Sequence, residues 1–146
     1  MEVVMNNIVR IIIKGGSGYG SIDETYEDRL VITSASISYE YKPHPLSQFK
    51  EELYRKWSYK TTNSIYALQF KKIVEMTPSI LHNNDKLFAT DIGPTVITVT
   101  YADKHRETVT YFCPNEFLID YFREIKKMIP ETEFIPEVLV TKEDVN

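Results

Sequence analysis

Between Thr95 and Pro130 the hydrophobic period of the chain changes once, from two residues to about three and a half, and that change restricts the fold more than any other feature. From Val96 to Tyr101, Ile97, Val99 and Tyr101 alternate with Thr98 and Thr100, as a half-buried strand requires. After the polar connection Ala102 to Arg106, the segment Glu107 to Phe112 returns with Val109 and Tyr111 on one side. A connection this short joins antiparallel neighbours and leaves no room for a crossover helix. Phe117, Tyr121, Ile125 and either Leu118 or Phe122 then recur at helical spacing from roughly Asn115 to Met128, and Pro130 stops the pattern.

Upstream, Ile8 to Ile13 is a β-branched run suited to a central strand, broken by Gly15, Gly16, Gly18 and Gly20. Leu30–Thr33 and Ile37–Tyr41 read as two more strands around Ser34-Ala35-Ser36, and Trp57–Thr61 as a fourth. Leu46 to Tyr54 is expected as a short surface helix with Phe49 and Leu53 one turn apart. A longer helix is expected from Thr62, Asn63 or Ser64 to about Thr77, ended by Pro78. His82 to Lys86 reads as a loop and Leu87–Thr90 as a short strand. These elements predict an α+β fold: a mostly antiparallel sheet with two main helices packed on one face, leaving the other face available.

A chain of 146 residues is long enough for one core and too short for two ordinary domains, so residues 1–146 are read as one domain. Residues 131–146 form an expected C-terminal tail, with Phe134, Ile135, Val138 and Leu139 available to dock. The net charge of -4, with both signs interspersed, disfavours nucleic acid. Neither an export signal nor an apolar run long enough to span a bilayer stands out, and a lone cysteine, Cys113, cannot close an intrachain disulfide. The expectation is a cytoplasmic protein that does not engage a membrane.

Gly15 to Gly20 follows a strand, as phosphate loops do, yet it has neither the GxxxxGKS/T nor the GxGxxG order, so a hairpin loop is the favoured reading. Gly16 and Gly18 are kept as candidate ligand contacts. His44, His82 and His105 lie in separate expected loops with no metal-ligand spacing, and Cys113 reads as a small buried residue. Asp91 and Asp103 suit turns, and Ser17, Ser34, Ser36 and Ser38 lack a nucleophile elbow. No catalytic residue, metal site or cofactor is assigned.

Tyrosine is unusually frequent, at 10 residues. Tyr39 with Tyr41, and Trp57 with Tyr59, each share one side of a strand, which makes them either core beneath the helices or a recognition patch on the free face. Ile13-Lys14-Gly15-Gly16, Ile37 to Pro43, Trp57 to Thr61, Thr90 to Gly93, Val99 to Asp103 and Ile125 to Pro130 together resemble a family of small single-domain bacterial proteins with no established activity. That resemblance implies one domain and supplies no site. The functional expectation is a non-enzymatic protein-interaction or regulatory domain, with a protein partner or self-association. The alternative is a small-ligand-binding protein or an enzyme of unrecognised class, and a pocket joining the glycine loop to Asp91, Asp103 or His105 would favour it.

Overall fold

The computed structural model describes residues 7–18, 20–82, 93–112 and 117–144. Four successive strands open the fold: β1 (Ile8–Gly16), β2 (Tyr26–Ile32), β3 (Ser36–Pro43) and β4 (Arg55–Lys60). A short helix, α1 (Lys50–Leu53), precedes β4, and the long helix α2 (Ser64–His82) follows it. The hairpin β5 (Thr95–Tyr101) and β6 (Arg106–Tyr111) comes next, then α3 (Ile119–Lys126) and two 3₁₀ turns, Glu137–Leu139 and Lys142–Asp144. The six-stranded sheet has the order β4-β3-β2-β1-β5-β6, and every neighbouring pair is antiparallel. α2 therefore carries the chain from one edge, across the sheet, to the other side of β1.

Strand alternation sorts the side chains. Ile11 and Ile13 lie opposite Ile32 and Leu30 on one side and Val99 and Ile97 on the other, and all six are fully buried. Ile37, Tyr39, Val109 and Tyr111 extend this apolar layer outward. A register shift between Ile8 and Arg10 restores Ile8 to the core side and leaves Val9 exposed. The helices cover this layer with Phe70, Ile73 and Ile80 from α2 and Tyr121, Phe122 and Ile125 from α3. The expected α+β arrangement, with the helices on one face, is thus observed.

Pro78 does not end α2, which runs on to His82. Proline removes one amide hydrogen, but tertiary contacts hold the last turn: Ile80 is buried, and the buried Tyr111 hydroxyl donates to its carbonyl at 2.6 Å. One turn earlier, Thr77 Oγ1 donates to Ile73 O at 2.7 Å and lies 2.9 Å from the Tyr121 hydroxyl, pinning α2 to α3. Gln69 Nε2 also donates to Glu124 O at 2.9 Å. The expected surface helix is confined to α1, because Ser47 and Gln48 are held in a turn by Asp23. The expected strand Leu87–Thr90 lies outside the described residues, as do Asp91 and Cys113.

In the β5–β6 hairpin, Lys104 has φ of 78°, a region that favours glycine. Lys104→Gly is expected to raise stability by up to about 1 kcal/mol, read as a higher urea midpoint at unchanged slope.

Candidate functional site

The same parity that gathers the core sends the intervening residues to the opposite side of the sheet, which α2 and α3 leave bare and only the short α1 borders, beside β3. Its middle row is nearly neutral, from Thr108 and Thr98 through Ile12 and Val31 to Ser38 and Ser58. Thr98 and Thr108 are hydrogen-bonded at 3.0 Å. On either side of this row stand exposed cations: Arg10 and Lys14 on β1, Arg29 on β2, Lys42 on β3, Lys56 and Lys60 on β4, and Arg106 on β6. The strand carboxylates on this face are Glu27 and Glu40. The whole chain, by contrast, has 17 Lys and Arg against 21 Asp and Glu. Seven cations against two carboxylates make this face basic within an acidic protein.

The aromatic candidates occupy the other side. Tyr39 is 3% exposed, and its hydroxyl donates to Asp28 at 2.8 Å and accepts the Glu137 amide at 3.2 Å. Trp57 packs 5.8 Å from both Tyr39 and Tyr59, and Tyr41 stacks on Tyr26 at 4.8 Å beneath the Arg55 guanidinium. Tyr59 is 40% exposed and donates to Glu133 at 2.9 Å. Tyr39 belongs to the core, Tyr41 and Trp57 pack against it, and Tyr39 and Tyr59 bond the C-terminal segment, so the four form no patch on the open face. Within that segment Val138 and Leu139 are buried, whereas Phe134 and Ile135 are exposed.

At the glycine-loop end of the open face lies a cleft of about 970 Å³. Lys14, Glu27, Arg29, Glu40 and Lys42 line it from the strands, and Gly16 and Gly18 line one wall. Gly93 presses on that wall so closely that a Cβ there would fall 2.5 Å from Gly16 O, which leaves no room for a side chain. The opposite wall contains His44, whose amide donates to Thr25 O at 3.1 Å. Nearby, Asp23 accepts the Gln48 amide and the Ser47 hydroxyl, both at 3.1 Å, and these bonds hold its carboxyl below the ordinary range. The walls are therefore braced by the protein's own hydrogen bonds. Glu40 accepts the Tyr54 hydroxyl at 2.6 Å and pairs with Lys42 at 3.4 Å; the first bond does most to depress its pKa.

Asp103 and His105 belong to the hairpin at the opposite end of the sheet, where His105 stacks on Tyr101 at 4.2 Å. They take no part in the cleft, and Asp91 is outside the described residues. Among the described residues, no three His, Cys, Asp or Glu side chains are grouped to hold a metal ion. Likewise, no described helix is long and apolar enough to cross a membrane. The basic face was hidden from a reading by net charge. Its signal was the parity of the strands: the residues alternating with the apolar ones are rich in Lys and Arg.

No protein-family model matches the chain, and no curated protein matches it in sequence.

Proposed function

We propose that the chain is a non-enzymatic, cytoplasmic interaction domain whose open sheet face receives an acidic protein surface. The carrying observation is the concentration of exposed cations on the uncovered face of a chain whose net charge is -4. Charge complementarity of this kind speeds encounter and rejects like-charged partners. The hydroxyls of Thr98, Thr108, Ser38 and Ser58 supply polar contacts between the charged rows. Face-to-face pairing of two copies would set cations against cations, so the electrostatics favour a different protein over a symmetric dimer. Stacking aromatics are missing from the described strand positions of this face, which favours protein over single-stranded nucleic acid.

Fluorescence anisotropy with a labelled polyglutamate peptide and a labelled single-stranded oligonucleotide tests the proposal. The peptide is expected to bind at low salt and to weaken as salt is added. The triple variant Arg10→Glu, Lys56→Glu, Lys60→Glu should weaken it at least tenfold. Unchanged peptide affinity in that variant, or tighter binding of the oligonucleotide, overturns the proposal.

A further inference from the structure

We infer that the cleft beside the glycine loop is a binding site for a small hydroxylated organic phosphate. Lys14 and Arg29 stand directly opposite each other on β1 and β2, on the same face, and both are exposed. Like charges in this cross-strand position repel. Neither has an ion pair among the described residues, and the nearest carboxylate in register, Glu40 opposite Arg29, is already held by Tyr54 and Lys42. A phosphate dianion between Lys14 and Arg29 would relieve the repulsion, with the planar guanidinium donating two parallel hydrogen bonds and the ammonium acting as a point charge.

The glycine loop contributes shape here more than amides. The Ser17 amide donates to Tyr26 O at 3.2 Å, and Ser17 Oγ accepts the Tyr26 amide at 3.1 Å. The phosphate is therefore held by side chains, against a wall that Gly16 and Gly18 keep low. Glu27 faces the same space from β2 and is exposed, so its carboxylate can accept hydrogen bonds from hydroxyls on the ligand. At about 970 Å³ the cleft exceeds what a bare phosphate fills and suits a ligand of sugar-phosphate or mononucleotide size. The braced walls mean little reorganisation on binding.

The test is an amide NMR titration of the full chain with ribose 5-phosphate, inorganic phosphate and ribose. Ribose 5-phosphate should shift Lys14, Gly16, Gly18 and Arg29 saturably and bind at least tenfold more tightly than inorganic phosphate, and ribose should shift none of them. Lys14→Gln with Arg29→Gln should weaken ribose 5-phosphate at least tenfold with the remaining spectrum unchanged. Glu27→Gln should remove most of the advantage over inorganic phosphate. Absence of saturable shifts, equal affinity in the Lys14/Arg29 variant, or equal affinity for the two phosphates overturns the site. Acidic-protein docking is tested at Arg10, Lys56 and Lys60, which lie outside the cleft, so the two proposals fail separately.

Discussion

Asp28→Ala is expected to lower stability by about 2–4 kcal/mol and to release the C-terminal segment from the sheet. Asp28 is 4% exposed on the core side of β2, and one carboxylate oxygen accepts both the Tyr39 hydroxyl and the Val138 amide at 2.8 Å. Alanine strands both donors in a buried setting, and each stranded group costs about 1–3 kcal/mol. Loss of a carboxylate whose other oxygen has no partner among the described residues offsets part of that sum. Asparagine keeps an acceptor for both donors, so Asp28→Asn should cost less than Asp28→Ala. Urea denaturation ranks the variants, and hydrogen exchange at Val138 and Leu139 reports release of the segment. An Asn variant as unstable as Ala would show that charge, not acceptance, is what Asp28 supplies.

Asp28 also gives this lock a pH dependence with a definite sign. Burial holds its carboxyl above the ordinary value of 3.8, against the bonds from Tyr39 and Val138 that draw it down. Its contribution to stability is complete below 3.8 and declines as pH rises through the raised folded value. Glu124 has the opposite slope. Hydrogen bonds from Lys72, Lys127 and Gln69 depress it to about 2, so its contribution is complete above 4.5 and fades as pH falls towards 2. Raising the pH above 3.8 should therefore shift the stability comparison in favour of Asp28→Asn relative to the parent.

The hairpin of β5 and β6 and the stripe of α3 were legible because both depend on local periodicity. Val96–Tyr101 and Glu107–Phe112 fall within one residue of the observed strands. Asp28 was not legible, since a carboxylate between Glu27 and Arg29 reads as solvated until Val138, 110 residues away, arrives to donate to it. For the same reason β2 begins at Tyr26, four residues before the apolar run at Leu30. Alternation showed that Tyr39, Tyr41, Trp57 and Tyr59 pair up by side, but which side the helices cover is decided by long-range packing. The glycine spacing points to a loop that begins at Gly15, whereas Gly15 and Gly16 complete β1 in register with Asp28 and Glu27. The association of Gly16 and Gly18 with Lys14, Arg29 and Lys42 arises only when β1, β2 and β3 align.

Ile12 and Ile13 separate the two faces most sharply. Both are almost completely buried, at 3% and 0% exposed, and the sequence offers no distinction between them. Ile13 sits between Leu30 and Ile97 beneath the helices, whereas Ile12 sits between Val31 and Thr98 on the open face, flanked along β1 by Arg10 and Lys14. Ile13→Lys forces an ammonium into the apolar layer with no partner, a penalty of several kcal/mol against a typical total stability of about 5–15 kcal/mol. That variant is expected not to fold. At Ile12 a lysine can run its stem along Val31 and place its charge in water, so Ile12→Lys should lose only about 1–2 kcal/mol and keep its cooperative unfolding. Circular dichroism melts of the two variants give the comparison directly. If Ile12→Lys unfolds as completely as Ile13→Lys, something covers the middle of the basic face, and the surface assigned to an acidic partner is already occupied.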